Sequence, residues 1–276
     1  MTAPHQWDSC EGVADAYSAA GEAWHGGPTR IYDTLAREQI ATAGVSLAEA
    51  AVLDLGTGTG AASRAAAAAG ARSVTAVDVA AGMLMVDRER RPPAAVGDAL
   101  ALPFADSVFD VTIAAFSLNH LDDPVAALRE ASRVTRDRGW VLSSSYATDD
   151  SHPVKRVVDE VARRWGWNPA DWFERFRSQT APRLATAERV RDVATAAGLT
   201  EIAVERRSVA FAELGPADMV AWRLGMAQLA GFVAGLEAQS RRALEEEAIG
   251  ALGTDPPILE RSVLFLTARV PTPEPD

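Results

Sequence analysis

Three glycines at alternate positions form the stretch of the chain best suited to hold a ligand. Gly56, Gly58 and Gly60 follow a compact apolar run, Ala51–Leu55, and precede a run rich in alanine. Because glycine has no Cβ, such a loop can turn tightly and let a ligand approach its backbone. With Ala61 as the last position, the spacing also fits the dinucleotide-binding pattern G-x-G-x-x-G/A. It therefore predicts a nucleotide-like ligand without deciding which one.

Two carboxylates accompany these glycines. Asp54 lies inside the apolar run just before the loop, and Asp78 follows Gly56 by 22 residues at the end of a second apolar run. A carboxylate in the second position can accept hydrogen bonds from both hydroxyls of a ribose, which several cofactor classes share. Asp54 discriminates better, because a nicotinamide site usually has no acid at that position. The pair predicts a ribose-containing cofactor and disfavours a nicotinamide.

Histidine is the side chain best suited to act as a general base near neutral pH, and the chain has four. His120 follows the fourth predicted strand, at the sheet edge where ligands of such folds bind. Asp122 and Asp123 would raise the pKa of His120 if their side chains approached it. His152 stands at a predicted helix start, where the helix dipole favours the neutral ring, and His25 lies among N-terminal aromatic residues. We predict one of these three histidines as a base; a structural or capping function is the alternative.

An alternation of strands and helices must position these residues. Apolar or alternating runs predict seven strands, at residues 51–55, 73–79, 94–96, 109–115, 140–146, 202–210 and 263–270. A helix is predicted over residues 61–69, closed by Gly70, and another begins at Pro124. Such alternation predicts a mostly parallel sheet with helices on both faces.

The second half of the chain adds helices to this core. Apolar side chains recur at helical spacing over residues 154–165 and 190–197, and residues 219–236 predict one long helix. There is no internal repeat and no low-complexity linker. We predict a single domain, 1–276, in four parts: an N-terminal helical lid (1–48), a cofactor-binding core (49–146), inserted helices (147–200), and the final strands with a long helical insertion between them (201–270).

Motifs around the third and fourth strands separate the candidate cofactors. Gly97-Asp98-Ala99 ends the third strand, Leu102-Pro103-Phe104 follows it, and Phe109-Asp110 opens the fourth. Together with Asp54, the glycine loop and Asp78, this arrangement resembles class I S-adenosylmethionine-dependent methyltransferases, particularly the group related to ubiquinone and menaquinone biosynthesis. The resemblance implies an α/β, Rossmann-like, seven-stranded fold with helical lid and insertions, and S-adenosyl-L-methionine as the cofactor.

The resemblance covers about residues 50–146 and assigns functions to matching positions. The glycines would wrap the methionine and ribose part of the cofactor, and Asp54 would orient its ammonium group. Asp78 would hold the ribose hydroxyls, and Asp98 would accept from the adenine amino group. The implied cofactor-binding residues are Tyr17, Asp54, Gly56, Thr57, Gly58, Gly60, Asp78, Val79, Met83, Gly97, Asp98, Ala99 and Phe116.

The family's acceptor pocket is built from N-terminal helices and later insertions, and both are present here. An aromatic side chain such as Tyr17 would cover the methionine end of the cofactor as part of a lid. Dense aromatic side chains suit a flat apolar or aromatic acceptor. The predicted substrate-binding residues are Trp24, Trp172, Phe176, Trp222 and Met226. The alternative is that these side chains only pack the added helices onto the core.

Composition limits the partners and the location. The net charge is −11 and the basic residues are scattered, which argues against a nucleic-acid substrate. Cys10 is the only cysteine, so neither a disulfide framework nor a cysteine-based metal site is predicted. The chain shows no secretory signal pattern and no apolar run of membrane-spanning length, so we predict a cytoplasmic protein with no metal or membrane partner. The oligomeric state stays open, a homodimer included.

The predicted reaction is methyl transfer from S-adenosyl-L-methionine to an O, N or C atom of a small-molecule acceptor, such as a specialised metabolite. A non-methylating enzyme that keeps the cofactor and catalyses a cyclisation or rearrangement would carry the same motifs. A nicotinamide-dependent oxidoreductase is less favoured, because Asp54 and Gly97-Asp98 argue against it and no Tyr-x-x-x-Lys pair exists. An intact glycine loop with both acids argues against a pure binding module. Lys155, the only lysine beside 26 arginines, has no predicted function.

Overall fold

One seven-stranded sheet forms the centre of the computed structural model, which describes residues 11–89 and 91–272. The strands are β1 (Ala51–Leu55), β2 (Ser73–Asp78), β3 (Ala94–Val96), β4 (Phe109–Ala115), β5 (Thr135–Tyr146), β6 (Thr200–Phe211) and β7 (Leu259–Arg269). Their spatial order is β3-β2-β1-β4-β5-β7-β6, and only β7 runs antiparallel to its neighbours. The order reverses at β1 and β4, so a crevice opens at their carboxyl ends, where ligands of open α/β sheets bind. The predicted Rossmann-like fold class is confirmed.

Eleven α-helices lie within the described residues. They are α1 (Glu11–Gly26), α2 (Pro28–Ala43), α3 (Ala61–Ala68), α4 (Ala81–Met85), α5 (Pro124–Val134), α6 (Pro153–Arg164), α7 (Asp171–Arg175), α8 (Ala187–Ala196), α9 (Pro216–Leu224), α10 (Ala227–Ala234) and α11 (Ala238–Leu252). Among these helices, none combines the length and apolar character that crossing a membrane requires. Cys10 lies outside the described residues.

Helices cover both faces of the sheet. Successive side chains of a strand point to opposite faces. On one face, Val52 of β1 joins the buried cluster of Ala36 from α2 and Ala66 from α3. On the other face, Leu53 joins the cluster of Leu128 from α5. Full burial of one aliphatic side chain contributes about 1.5–3 kcal/mol, so these two layers fix the strand ends that hold the site.

The N-terminal and inserted helices close over the carboxyl ends of the strands. Val158 of α6 and Val220 of α9 belong to one buried cluster beside β5 and β7. Ala20 of α1 packs in a second cluster with Met83 of α4 and Ala230 of α10. Helix α1 therefore lies between the core and the insertion, in the position of a cover over the crevice.

The later elements differ from the prediction. The helix expected over residues 219–236 is two helices, α9 and α10, because Met226 between them has an extended backbone (φ −69°, ψ 145°). A Cβ on Gly225 would lie 2.7 Å from the carbonyl oxygen of Ala23, so this junction packs directly against α1. The sequence pattern also does not predict α11, and β5 and β7 each begin several residues earlier than expected.

Candidate functional site

The glycine loop follows β1 and leads into α3. Gly56, Gly58 and Gly60 have φ values of +72°, +53° and +92°, in the left-handed region that favours glycine. A Cβ on Gly56 would collide with the side chain of Ser117, whereas a Cβ on Gly58 would meet no atom within 4 Å. Gly56 is therefore required for close packing at the end of β4. Gly58 borders open space that a ligand can enter.

Asp54 is held at the end of β1 by two hydroxyl groups. Its Oδ2 accepts from Thr57 Oγ1 at 2.7 Å and from Ser63 Oγ at 2.6 Å. Its Oδ1 is buried and has no hydrogen-bond partner among the described residues. Burial raises the pKa of Asp54, although both hydroxyl bonds oppose the shift. The carboxylate therefore presents an oxygen that a cationic or donating ligand group can bind. Sequence reasoning missed Ser63, since nothing in its spacing relates it to Asp54.

Asp78 ties the glycine loop to the end of β2. Its Oδ2 accepts from the Gly58 amide at 2.6 Å, and its Oδ1 accepts from the Ala80 amide at 2.8 Å. Each carboxylate oxygen can accept a further hydrogen bond. Burial raises the pKa of Asp78, and the two backbone amides lower it in part. Asp78 thus fixes the loop and still offers acceptor sites to a ligand.

A first cavity opens between the glycine loop, the ends of β2 and β3, and α1. All the predicted cofactor-binding residues line it except Gly60: these are Tyr17, Asp54, Gly56, Thr57, Gly58, Asp78, Val79, Met83, Gly97, Asp98, Ala99 and Phe116. Gly60 instead closes the turn, where its amide donates to Thr57 O and its carbonyl accepts from the Arg64 amide. Arg91 was not predicted; it donates to Gly58 O at 3.1 Å and to Met83 O at 3.0 Å, which fixes the loop against α4.

The two remaining acids of the motif have different surroundings. Asp98 lines the first cavity, and its Oδ1 accepts from the Leu100 amide at 2.9 Å. Asp110 lies at the opposite end of the strands, where it accepts from the Ala51 amide at 2.7 Å and pairs with Arg136 at 2.6 Å. Asp110 therefore joins β4 to the start of β1 and does not contact either cavity.

A second cavity of about 710 Å³ lies behind the first and shares four residues with it. These shared residues, which we call the aromatic wall, are Tyr17, Tyr32, Phe116 and His120. Ligand pockets commonly have volumes of about 300–1,000 Å³, so the second cavity can hold a small molecule. Of the predicted substrate-binding residues, Trp172, Phe176, Trp222 and Met226 line the second cavity. Trp24 lines the first, where its ring packs 4.9 Å from that of Tyr32.

His120 is the predicted base that the structure places between the two cavities. Its Nε2 lies 3.1 Å from Tyr17 Oη, and its ring stacks 4.5 Å from that of Phe176. Burial lowers the pKa of His120 to about 4. The expectation that neighbouring acids raise this pKa is wrong, because Asp122 binds Arg175 and Asp123 caps α5 through the Ala126 amide. The ring is therefore neutral at neutral pH.

The other two candidate bases lie away from both cavities. His25 is exposed at the end of α1. His152 caps α6, as its position predicted, and accepts from the Val154 amide at 3.2 Å through Nδ1. Its Nε2 lies 3.1 Å from Pro257 O, so both ring nitrogens are engaged. Neither His25 nor His152 is therefore placed to act as a base in either cavity.

An ionic cluster at the inner end of the second cavity was not predicted. Arg261 of β7 and Lys155 of α6 both donate to the carboxylate of Asp150, and Tyr146 lies beside them. Burial, and then the charge of Arg261, lower the pKa of Lys155 to about 8. The only lysine, for which no function was predicted, thus has an environment that changes its titration. One feature of the sequence could have indicated that Arg261 points inward: it stands two residues after Leu259, and alternate residues of a strand share a face.

Comparison with known proteins agrees with this site. The family profile described as a methyltransferase domain matches residues 53–143. A demethylmenaquinone methyltransferase of a Mycobacterium species (strain KMS) is 37% identical over 185 residues, which cover 67% of this chain and 72% of the relative. Another, from Mycolicibacterium paratuberculosis, is 38% identical over 102 residues, which span 34% of this chain and only 44% of that relative.

A solved structure shows the same fold. Phosphoethanolamine N-methyltransferase 2 of Haemonchus contortus, in complex with S-adenosyl-L-methionine, superposes with a TM-score of 0.53 and 19% identity. The superposition covers 87% of this chain and 53% of that one. The crevice, the glycine loop and the strand-end acids together define a class of cofactor-dependent α/β transferases. The chain belongs to the family of S-adenosylmethionine-dependent methyltransferases that includes the demethylmenaquinone methyltransferases. It is a methyltransferase, its methyl donor is S-adenosyl-L-methionine, and its acceptors are small molecules.

Proposed function

We propose that the chain methylates a flat small molecule bound in the second cavity, with the methyl donor bound in the first. The observation that carries this proposal is the aromatic wall, which belongs to both cavities. Methyl transfer needs the donor and acceptor cavities to meet, because the reacting atoms must come into contact in line. Tyr17 and Phe116 line both cavities and therefore mark where the cavities meet, between the glycine loop and the inserted helices. Cytoplasmic location and the lack of a nucleic-acid partner stay predictions, and the oligomeric state stays open.

The residues of the first cavity fit the methyl donor. Asp54 Oδ1 is a buried acceptor without a partner among the described residues, and it suits the ammonium group of the cofactor's methionine end. Asp78 retains acceptor capacity on both oxygens for the ribose hydroxyls. Gly58 borders open space, so the backbone can be approached closely. When bound, S-adenosyl-L-methionine supplies an electrophilic methyl group on a positively charged sulfur.

The aromatic wall aligns the reactants and excludes water without adding a charge. Burial raises the pKa of Tyr17 well above its usual value, and His120 is neutral, so neither side chain is ionised at neutral pH. Aromatic faces attract a cation moderately, whereas an adjacent carboxylate would hold the sulfonium too firmly in the ground state. His120 Nδ1 is buried without a partner among the described residues and can bind a polar group of the acceptor.

The test is a thermal-shift screen of ring compounds in the presence of S-adenosylhomocysteine, with demethylmenaquinone included, followed by a transfer assay. S-adenosylhomocysteine assembles the site but blocks turnover, so true acceptors add stability by mass action. Compounds that stabilise the protein are then incubated with a donor carrying a labelled methyl group. We expect the label in the product, and we expect Asp54→Asn to lose both the stabilisation by S-adenosylhomocysteine and the transfer.

Two outcomes would overturn this proposal. An acceptor that is converted without taking up label would favour the cyclisation or rearrangement alternative. Compounds that stabilise the protein equally well after Phe116→Ala or Trp172→Ala would show that they bind outside the second cavity.

A further inference from the structure

Several residues that line the second cavity carry buried polar atoms without a hydrogen-bond partner among the described residues. Of nine such side-chain atoms, five belong to residues that line this cavity: Asn119 Oδ1, His120 Nδ1, Tyr146 Oη, Trp222 Nε1 and Arg261 Nη1. A buried polar atom without a hydrogen-bond partner destabilises the folded protein, so their concentration in one place points to a ligand. The atoms of Tyr146, Trp222 and Arg261 can all donate, so the expected ligand group is an acceptor oxygen.

Arg261 keeps a free donor because Asp150 engages only one edge of its guanidinium group. Arg261 Nε donates to Asp150 Oδ1 at 3.0 Å, and Nη2 donates to Oδ2 at 2.8 Å. Both side chains are only 3% exposed. The guanidinium carbon lies 3.8 Å from the ring centre of Tyr146 and 4.8 Å from that of Trp222. The three donors therefore belong to side chains that pack on one another, and the hydroxyl of Tyr146 also faces that of Tyr32.

The inner end of the cavity carries excess positive charge. The Asp150 carboxylate faces two cations, since Lys155 Nζ also donates to its Oδ2 at 2.6 Å. Arg223 and Asp159, which form a bidentate pair at 2.7 Å, cancel each other. Asp150 and Asp159 are the only acids in the described lining. A cavity with more cations than acids, in a chain of net charge −11, selects an anion.

We propose that this inner end is an anion site, so that the acceptor is a flat small molecule carrying an ionised oxygen. The oxygen binds Arg261 Nη1 and Tyr146 Oη, with Trp222 Nε1 and Lys155 beside it. This inference rests on the proposed function, because it identifies the chemical class of the acceptor for the same site. A carboxylate and an ionised ring hydroxyl share the required chemistry.

The position of the anion site fits a flat acceptor. The ring of Tyr146 lies 4.7 Å from the ring of Phe116 with an interplanar angle of 32°. Phe116 belongs to the aromatic wall, whereas Tyr146 lines only the second cavity. One ring pair therefore separates the anion site from the boundary with the first cavity. A flat acceptor can place its oxyanion on Arg261 while its opposite edge faces the methyl donor.

The single lysine provides a direct probe of this site in the complete chain. Protein grown on lysine labelled with ¹³C at Cε gives one lysine resonance, from Lys155. We would titrate this protein with benzoate, with 4-nitrophenolate and with the neutral isostere benzamide. We expect saturable shifts with at least one of the two anions, at millimolar affinity, and about tenfold weaker binding of benzamide. The two anions distinguish a carboxylate acceptor from an ionised hydroxyl.

Variants assign the binding to the proposed donors. Arg261→Gln should weaken anion binding about tenfold or more, because a charge-assisted hydrogen bond is lost. Tyr146→Phe, which leaves the Asp150 pair intact, should weaken it about threefold and serves if the Arg261 variant does not fold. The matched control is Arg206→Gln, on exposed β6, where the side chain pairs with Asp149. It removes the same charge and should leave anion binding unchanged.

Calorimetry with S-adenosylhomocysteine separates this inference from the proposed function. If S-adenosylhomocysteine binds but neither anion produces a saturable shift, the anion site is wrong while the methyltransferase proposal stands. Equal affinities for benzoate, 4-nitrophenolate and benzamide, or equal anion affinities of the wild-type and Tyr146→Phe proteins, would also overturn it. Anion binding without S-adenosylhomocysteine binding would instead overturn the assignment of the first cavity.

Discussion

Asp78 holds the glycine loop and presents acceptor oxygens to the first cavity at the same time. A hydrogen bond to a charged group contributes about 1.5–3 kcal/mol. We therefore expect Asp78→Ala to weaken the binding of S-adenosylhomocysteine about ten- to a hundredfold, measured by calorimetric titration. Asp106→Ala is the control, because Asp106 is 75% exposed and pairs with Arg133 outside the cavity. An unchanged affinity of the Asp78 variant would remove Asp78 from the site.

His120 gives the stability of the protein a defined pH dependence. Burial lowers its pKa to about 4 in the folded protein, whereas an unfolded chain has a histidine pKa of about 6.5. Between these values the unfolded state binds more protons, so the contribution of His120 to stability falls as the pH falls from 6.5 towards 4. The full difference corresponds to a loss of up to about 3 kcal/mol.

The measurement compares denaturant unfolding of the wild type and His120→Phe at several pH values across this window. Phenylalanine retains an aromatic ring beside Phe176 but does not titrate, so the variant should lose less stability on acidification. The raised pKa values of Asp54 and Asp78 change stability with pH in the opposite direction. Both proteins retain these two carboxyl groups, so their effect cancels when the two pH profiles are compared. His25→Gln, at an exposed position, is the control. Parallel pH profiles of the wild type and His120→Phe would contradict the assignment.

At the scale of elements, glycines set the distance between α1 and α4. A Cβ on Gly82 would overlap the Ser18 carbonyl oxygen, and a Cβ on Gly21 would lie 2.8 Å from Gly82 O. Gly82→Ala must therefore push α1 outwards, at a cost of about 1–3 kcal/mol in unfolding free energy. Because Tyr17 and Met83 line the first cavity from these two helices, we also expect weaker binding of S-adenosylhomocysteine.

A glycine in open space provides the control for this substitution. Gly250 lies inside α11, and a Cβ there would meet no atom within 4 Å. Gly250→Ala should stabilise the protein by about 0.5–1 kcal/mol, because alanine has the higher helix propensity. Thermal unfolding with and without S-adenosylhomocysteine compares the two variants. A Gly82 variant as stable as the Gly250 variant would show that α1 does not pack tightly on α4.

The core strands could be predicted because buried parallel strands are short, continuous apolar runs bounded by turns. β1 and β4 match the expected residues, and the glycine loop between β1 and α3 is encoded locally. The start of β5 could not be predicted, because residues 135–139 are mostly polar and lie at its exposed end. The break between α9 and α10 depends on contact with α1, which no local pattern contains.

The two cavities differ in how far the sequence reveals them. The first is built from the ends of successive strands, and twelve of the thirteen cofactor-binding residues predicted from the motifs line it. The anion site joins Asp150, Lys155 and Arg261, which are separated by up to 111 residues. The alternation of side chains along β7 places Arg261 on the inward face. The predicted strand begins at residue 263, however, and so does not contain Arg261. Tertiary packing, rather than any motif, brings these side chains together.

At the scale of the whole molecule, an acidic chain encloses a cationic cavity. The net charge of −11 disfavours an extended anionic partner such as a nucleic acid, but it does not describe the inner surface. Arg261 and Asp150 are nearly inaccessible to solvent, so salt screens their interactions with a bound anion weakly. A small bound anion is therefore compatible with a chain of net negative charge.

The single lysine makes this inner charge measurable. Burial and the charge of Arg261 lower the pKa of Lys155 to about 8, so the ε-amino group titrates within an accessible pH range. We expect its ¹³Cε resonance to report that pKa, and we expect Arg261→Gln to raise it by removing the neighbouring positive charge. An anion binds the protonated amine more strongly than the neutral one, so bound benzoate must raise the pKa as well.

The same linkage requires the affinity for benzoate to fall as the pH rises through about 8, where Lys155 loses its proton. Asp150→Asn should shift the lysine pKa in the opposite direction to Arg261→Gln, because it removes the carboxylate that stabilises the protonated amine. A lysine that titrates near its ordinary pKa, with or without benzoate, would show that its amine is solvated and stands apart from any anion. Opposite shifts in the two variants, together with a pH-dependent affinity, would show that the three charges act on one ligand.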